Sequence, residues 1–228
     1  MKKMKVLNLY ACLGGNRYKW DEVAKEAGIE IEVTAVELDP EAARLYQERF
    51  SNDIVIVADA HQYLLDHYKE FQFVWSSPPC PSHSRARYWN SSNYDNKTEP
   101  VYPDMMLYQE ILFLQHYYKH GKFCVENVIP YYEPLIQAQK RGRHLYWANF
   151  QLPGDLNDRK NNIMVGKNEL DEYCKFHEYD FKQYKGEQSV QKMARNLVDY
   201  EAGRTIFETA LGIIRKKDER QISIFDQL

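Results

Sequence analysis

Short apolar runs alternate with amphipathic segments through the first two thirds of the chain. The runs have the length and the β-branched and aromatic content of buried strands. They fall at Val6–Leu9, Ile31–Val36, Ile54–Val57, Phe71–Trp75, Phe123–Val125 and Leu145–Phe150. Strands that alternate with helical patterns are typical of a mostly parallel sheet with helices on both faces. The pattern therefore predicts an α/β fold.

The segment between the second and third runs predicts a helix in detail. Asp39 is a residue type that caps helices, and Pro40 follows at the first helical position. Apolar side chains then recur at helical spacing, at Ala42, Ala43, Leu45, Tyr46 and Phe50. Further helical patterns run from Asp104 to Tyr118 and from Ile206 to Ile214, whereas residues 81–103 are polar, lack a clear period and are predicted to form a loop.

The chain divides into four predicted parts. Residues 1–150 carry the strands of one core, and residues 151–188 form a short insertion rich in charge and tyrosine. A helical part at 189–217 completes the core, and residues 218–228 form a tail. A chain of 228 residues buries one sizeable core, so two full domains are not expected.

Composition limits the classes of partner, metal site and cellular location that we expect for this protein. The net charge of −3 does not mark a nucleic-acid-binding protein, so any such contact must come from local basic residues. The four cysteines form no Cys-x-x-Cys pair, which predicts no structural zinc or other metal site and a reducing, cytoplasmic location. No apolar segment is long enough for a membrane span, and we expect a monomer.

The first strand runs into a glycine turn that is a candidate ligand-binding loop. Its residues are Tyr10, Ala11, Cys12, Leu13, Gly14 and Gly15. Glycines let backbone amides approach a ligand, although a double glycine is also common in a plain tight turn. Glu37, with Leu38 after it, lies about twenty positions further on, where a carboxylate accepts bonds from ribose hydroxyls. After the third strand, Asp59 and Ala60 suit an adenine amino group, unless Asp59 only caps the next helix.

A second group of residues carries candidate covalent chemistry. Pro78 and Pro79 rigidify the chain before Cys80 at the end of an apolar run, which presents the thiol as a candidate nucleophile. The alternative is a buried, inert cysteine. Glu126 ends another apolar run, where a carboxyl group is costly to bury unless it is hydrogen-bonded or protonated; the alternative is a capping or solvent-facing residue.

Two basic residues precede the last predicted strand. Arg141 and Arg143 occupy alternate positions there, so we expect both side chains to point the same way and to reach one anionic or carbonyl-rich ligand.

In this order, the Pro-Pro-Cys, Glu-Asn-Val and Gln-x-Arg-x-Arg elements resemble the DNA (cytosine-5)-methyltransferase family in its small bacterial or phage form. The resemblance spans Val6 to about Leu211 and implies an S-adenosylmethionine-dependent methyltransferase sheet with one reversed strand. It also implies that the chain methylates carbon 5 of a flipped-out cytosine in double-stranded DNA. A tRNA cytosine methyltransferase and a catalytically silent binding module remain alternatives.

The resemblance also assigns roles to single residues. It implies that Tyr10, Gly14 and Gly15 line the methionine end of the cofactor, Glu37 its ribose, and Leu38 and Asp59 its adenine, with Pro79 between cofactor and base. It makes Cys80 the nucleophile, Glu126 the group that protonates N3, and Arg143, with Arg141 nearby, the contact to O2. Asn196, in Arg195-Asn196-Leu197-Val198, is implied near the cofactor.

The sequence departs from the family pattern at four positions. Cys12 and Arg195 replace glycines, Tyr10 replaces phenylalanine, and Pro81 replaces glutamine. The departures leave every bond-making group in place. They bear on the conformation of the cofactor loop, and the short insertion indicates brief or relaxed recognition of sequence.

The tail carries one further motif. Gln221-Ile222-Ser223-Ile224-Phe225 resembles the peptide that docks into the bacterial sliding clamp. The alternative is that its apolar side chains pack on the protein's own surface.

Overall fold

The computed structural model describes residues 2–92, 101–160, 162–164 and 166–213, and within them one seven-stranded sheet is flanked by helices. The strands are β1 (Lys2–Leu9), β2 (Ile29–Glu37), β3 (Ile54–Val57), β4 (Phe73–Ser76), β5 (Lys122–Val128), β6 (Gln139–Arg141) and β7 (His144–Ala148). The helices are α1 (Trp20–Glu26), α2 (Pro40–Arg49), α3 (Ala60–His67), α4 (Arg85–Ser92), α5 (Met106–Tyr117), α6 (Glu169–His177), α7 (Val190–Asn196) and α8 (Tyr200–Ala210). Each apolar run predicted as a strand forms one, whereas polar β6 was not predicted.

The strand order is β3-β2-β1-β4-β5-β7-β6. Strands β1 to β5 pair in parallel, and β7 runs antiparallel to both of its neighbours. The predicted α/β fold with one reversed strand is therefore confirmed. Because the first five strands are parallel, the residues that follow them meet at one edge of the sheet, where open α/β sheets bind ligands.

The core lies on both faces of this sheet. On one face, Leu9 and Val125 pack with Ile111 of α5; on the other, Phe73 and Trp75 pack with Trp20 of α1. Alternation along β4 explains the division, because Phe73 and Trp75 project to one side and Val74 to the other. Both faces are covered at the centre of the sheet, which is why Phe73, Val74 and Trp75 of β4 are all apolar and buried.

Helix α2 forms as predicted. The Asp39 carboxylate accepts hydrogen bonds from the amides of Glu41 and Ala42, at 2.9 and 3.3 Å, and Pro40 stands at the first helical position. These bonds satisfy amide groups that have no partner inside the helix.

The predicted loop over residues 81–103 is wrong in part, because α4 occupies Arg85–Ser92. The Arg85 guanidinium donates to the carbonyl of Pro130 at 3.0 Å, and the ring of Tyr88 stacks on Tyr131 with centroids 4.4 Å apart. Contacts to a segment more than forty residues further along the chain therefore hold this helix, and its own sequence carries no periodic signal for it.

The predicted insertion contributes to the core. Tyr173 of α6, Phe181 and Tyr184 pack against Leu13 and Leu45, which belong to the first part of the chain. The boundaries predicted for the four parts of the chain stay predictions. Ile214 and the clamp-like segment lie outside the described residues. None of the helices in the described ranges has both the length and the apolar character needed to cross a lipid bilayer.

Candidate active site

A cavity of about 850 Å³ opens at the carboxyl edge of the sheet. Its volume falls in the range typical of small-molecule and cofactor sites. Both predicted groups of residues contribute to its wall. Those expected to bind a cofactor that line it are Tyr10, Ala11, Cys12, Glu37, Leu38, Asp59, Ala60, Pro79 and Asn196. Cys80 and Glu126 line the same cavity.

Three residues of the glycine turn lie behind this wall. Leu13 is fully buried against Leu45, and Gly14 and Gly15 are not among the lining residues. A Cβ on Gly14 would lie 2.3 Å from the ring of Phe50, and one on Gly15 would lie 2.3 Å from the carbonyl oxygen of Val198. The glycines therefore admit neighbouring protein atoms, and a contact of these three residues with the cofactor stays a prediction.

Gly14, with φ 70°, turns the loop, and so do Tyr10 and Cys12. Both have positive φ, 55° and 48°, a conformation that residues with a side chain adopt at a cost. The amide of Cys12 donates to the carboxylate of Glu37 at 2.8 Å. This contact holds the loop against the end of β2, at the position where the sequence departs from the family's glycine.

Glu37 holds the loop after β1 and also lines the cavity. Its carboxylate also accepts from the amide of Asp39, at 2.9 Å. Burial raises the pKa of Glu37, and the two amide bonds oppose that shift. Each carboxylate oxygen takes one amide and keeps a second acceptor site, so the group retains capacity for hydroxyl donors in the cavity.

Asp59 caps α3, as the alternative interpretation proposed. Its carboxylate accepts from the amide of Gln62 at 2.8 Å, and it also lines the cavity. Leu38, two-thirds exposed, lies nearby as an apolar surface. Leu38 therefore provides an apolar contact and Asp59 a hydrogen-bond acceptor in the cavity wall.

The loop that carries Cys80 is held from both sides. The side chain of Asn127 donates to the carbonyl of Pro78 at 3.0 Å, and the amides of His83 and Ser84 donate to the carbonyl of Cys80 at 3.0 and 3.1 Å. The thiol therefore has a defined position in the cavity wall.

Burial and, secondarily, the charge of Glu126 raise the pKa of the Cys80 thiol to about 11. Glu126, 8% exposed, belongs to β5. Nε2 of His144, on neighbouring β7, lies 3.6 Å from its carboxylate. Sequence reasoning assigned no role to His144, although the antiparallel pairing of β5 with β7 places it opposite Val128 and beside the acid.

The predicted placement of the two arginines at alternate positions entering one strand is wrong. A hairpin turn through Gly142, with φ 52°, separates Arg141 on β6 from Arg143, so they do not occupy alternate positions of one strand. The Arg141 guanidinium donates to the main-chain carbonyls of Lys140 and Leu152, both at 2.8 Å, and to that of Pro153. Arg143 is exposed, and neither arginine lines the cavity.

Lys192 of α7 lines the cavity and was missed from the sequence. Among the described lining residues it is the one lysine, and no arginine accompanies it. Its charge lowers the pKa of the Cys80 thiol, against burial and Glu126. Lys192 lies more than a hundred positions from Cys80 in sequence, so no local pattern predicted that the two residues are close.

Comparisons with known proteins identify the family of the chain and support its fold. Residues 4–129, more than half of the chain, match the family described as C-5 cytosine-specific DNA methylase. No curated protein matches the chain. A solved structure of an Entamoeba histolytica methyltransferase, EhMeth, aligns over 95% of this chain and 100% of its own, with a TM-score of 0.56 and 10% identity, which supports the fold.

A second solved structure, a mutant of DNMT2 from Spodoptera frugiperda, aligns less extensively. The match covers 55% of this chain at 24% identity, with a TM-score of 0.37. The aligned part spans 35% of the DNMT2 chain, about a third of its length.

Proposed function

This chain belongs to the C-5 cytosine-specific DNA methylase family, and we propose that it methylates carbon 5 of cytosine in double-stranded DNA through a covalent bond to Cys80. The observation that carries the proposal is the placement of Cys80, Glu126 and the cofactor-side residues around one cavity. Cys80 and Glu126 are 46 positions apart in sequence, and the cofactor-side residues that line the same cavity extend from Tyr10 to Asn196.

The cavity fits S-adenosylmethionine, the cofactor implied by the family. Glu37, Leu38 and Asp59 line the cavity, and we expect Glu37 to accept hydrogen bonds from the ribose hydroxyls and Leu38 and Asp59 to contact the adenine. Carboxylate residues outnumber the one lysine in the wall, which favours a ligand with positive charge; they are Glu37, Asp39, Glu41, Asp59, Asp104, Glu126 and Glu187. When bound, this cofactor supplies an electrophilic methyl group on a sulfonium.

Cys80 makes carbon 5 reactive. Its thiolate adds to carbon 6 of the pyrimidine, and the electron pair of the carbon 5–carbon 6 bond becomes available at carbon 5, which takes the methyl group. Carbon 5 then loses its proton to water, and that electron pair restores the double bond as the sulfur–carbon 6 bond breaks. The thiolate is regenerated, and the proton taken up at N3 during the addition is released as the aromatic ring is restored.

We expect Glu126 and Lys192 to stabilise the negative charge that this addition creates on the ring. Negative charge develops toward N3 and O2 of the ring; we expect Glu126 to hold and protonate N3, and the ammonium of Lys192, which lines the same cavity, to offset part of that charge. Each such contact is worth on the order of 2–4 kcal/mol in a transition state. Because the thiol is mostly protonated at neutral pH, the positive charge of Lys192 also favours the reactive thiolate.

The target base must leave the helix to reach Cys80, since carbon 6 is inaccessible in a stacked duplex. Exposed aromatic residues of α4, Tyr88 and Trp89, lie on the segment that follows Cys80 and are candidates to contact the extruded nucleotide. Aromatic rings stack on any base, which agrees with relaxed sequence recognition.

The decisive experiment incubates the protein and S-adenosylmethionine with duplex DNA in which cytosine is replaced by 5-fluorocytosine. Fluorine blocks the final elimination, so we expect a covalent protein–DNA adduct that maps to Cys80 and disappears in Cys80→Ala. Transfer of labelled methyl groups to duplex DNA and to tRNA, measured in parallel, separates the DNA enzyme from a tRNA enzyme. Failure to trap an adduct on either polymer, with varied sequences, would contradict covalent catalysis and favour a silent binding module.

We further propose that the clamp-like residues Gln221–Phe225 bind a bacterial sliding clamp. The support is the sequence of the terminal peptide, since peptides of this length bind through a few apolar anchors and a polar residue. Deleting the last eight residues should abolish co-elution with the clamp while methyl transfer to free DNA continues. Unchanged co-elution would exclude this segment as the binding site.

A further inference from the structure

The carboxylate of Glu110 lies fully buried beneath the active-site cavity, on α5. It accepts hydrogen bonds from the hydroxyl of Tyr10 and, at 2.7 Å, from the hydroxyl of Ser76. Nδ1 of His61 lies 3.2 Å from the same carboxylate. A buried carboxylate without such partners would cost several kcal/mol, so three polar partners on one acid indicate a specific arrangement.

The three partners come from three different strand ends. Tyr10 follows β1 and lines the cavity; Ser76 ends β4, four positions before Cys80; His61 lies in the first turn of α3, after β3. Glu110 itself is 100 positions from Tyr10. One carboxylate therefore connects the cofactor wall to the base of the nucleophile loop.

The hydrogen bonds to Glu110 also restrain the backbone of Tyr10 and the position of Ser76. Tyr10 holds a positive φ of 55°, which is unfavourable for a tyrosine unless its surroundings impose it. Ser76 is fully buried at the last residue of β4, directly before the loop of Ser77, Pro78 and Pro79. Burial and the negative charge of Glu110 raise the pKa of Tyr10. The hydrogen bond to Glu110 raises the pKa of His61. Both shifts are in the direction expected for groups that share one carboxylate.

We infer that Glu110 is a positioning residue that sets the cofactor wall and the Cys80 loop relative to each other. The inference rests on the proposed function, in which a methyl group must pass between these two walls. Displacements of about 1 Å between reacting groups reduce rates by about a hundredfold. Glu110 touches neither reacting group and acts through Tyr10 and Ser76.

The test measures each wall separately, without nucleic acid. Binding of S-adenosylhomocysteine, measured by calorimetry, reports the cofactor wall. Alkylation of Cys80 by iodoacetamide, measured by mass spectrometry of its peptide, reports the nucleophile loop. We expect Tyr10→Phe to weaken binding about tenfold with alkylation unchanged, Ser76→Ala to change the alkylation rate with binding unchanged, and Glu110→Gln to change both.

Glu208→Gln is the matched control. Glu208 is a buried carboxylate on α8 that pairs with Arg204 at 2.8 Å and does not line the cavity. Its loss should lower thermal stability while both active-site readouts stay at the wild-type level. A merely structural role for Glu110 predicts this same pattern for Glu110→Gln, and that result would overturn the inference.

The remaining outcomes are also informative. If Glu110→Gln does not fold, Tyr10→Phe and Ser76→Ala decide, because each keeps the carboxylate; wild-type behaviour of both variants in both readouts overturns the inference. A wild-type protein that binds no S-adenosylhomocysteine contradicts the proposed function, whereas alkylation of Cys80 in Ser76→Ala and Glu110→Gln still reports the loop. The two failures are therefore distinguishable.

Discussion

The side-chain amide of Asn127 donates a hydrogen bond to the main-chain carbonyl of Pro78, at 3.0 Å. Asn127 follows Glu126 in β5, and Pro78 lies two positions before Cys80. One bond therefore joins the strand that carries the acid to the loop that carries the nucleophile. Asn127 is 1% exposed, so no solvent competes for this contact.

Replacing this amide should uncouple the two groups. In Asn127→Ala the carbonyl of Pro78 loses a buried donor, which costs about 1–3 kcal/mol, and the loop that holds Cys80 gains freedom. We expect the rate of methyl transfer to fall about a hundredfold, measured at saturating cofactor. Asn149→Ala is the control, because Asn149 ties the other end of β5 by bonding the amide of Phe123. Equal losses in both variants would indicate general destabilisation of the strand.

The Cys80 thiol should titrate at a pH well above the usual range of a cysteine. Burial and Glu126 raise its pKa to about 11, so the thiolate fraction, and with it the alkylation rate, should increase with pH up to that value. An inflection at or below the usual thiol range would show that burial and the charge of Glu126 do not control this cysteine.

Lys192→Met should slow this alkylation at fixed pH. The lysine charge lowers the pKa of the thiol, so its removal leaves less thiolate; for a solvent-exposed charge we expect about a two- to fivefold effect. Lys182→Met is the control, since Lys182 pairs with Asp171 at 2.6 Å and does not line the cavity. A similar decrease in both variants would exclude a local effect of Lys192.

Gly15→Ala should reduce stability. The new Cβ would lie 2.3 Å from the backbone oxygen of Val198 and 2.6 Å from the Leu197 side chain, and a backbone oxygen cannot move aside cheaply. We expect a loss of about 1–3 kcal/mol in the free energy of unfolding, measured with urea. Gly154→Ala, where no atom lies within 4 Å of the new Cβ, should be close to neutral. A neutral Gly15→Ala would show that the turn tolerates a side chain.

His177 should make the protein sensitive to acid. The ring is buried among Tyr173, Phe176 and Phe181, and burial together with the charge of Arg159 lowers its pKa to about 4. In the unfolded chain the imidazole binds a proton near pH 6.5, so stability present above that pH is lost as pH falls from about 6.5 to 4.

The full effect amounts to about 3 kcal/mol. In His177→Phe this component of the pH dependence of the free energy of unfolding should disappear, whereas His67→Phe, at an exposed histidine of α3, should keep it. An unchanged acid profile in His177→Phe would assign the sensitivity to other groups.

Local patterns in the sequence accounted for most of the architecture. The apolar runs predicted the strands, and most of these are buried because a strand covered on both faces needs apolar residues along its length, whereas β3 at the edge is partly exposed. Asp39 and Pro40 predicted the start of α2, because capping involves neighbouring residues only. The order of the motifs also indicated the family, and parallel strands bring the residues at their ends to one edge wherever the sheet forms.

The three-dimensional structure decided which side chains share the cavity. Two alternating arginines suggested a common direction, but the hairpin turn at Gly142 separates Arg141 from Arg143. Conversely, Lys192 lines the cavity and Glu110 bonds Tyr10 across 100 positions of sequence, and neither had a local signal. Sequence patterns record backbone preferences and periodic burial within a few residues, whereas a shared site depends on contacts between segments that only the folded sheet brings together.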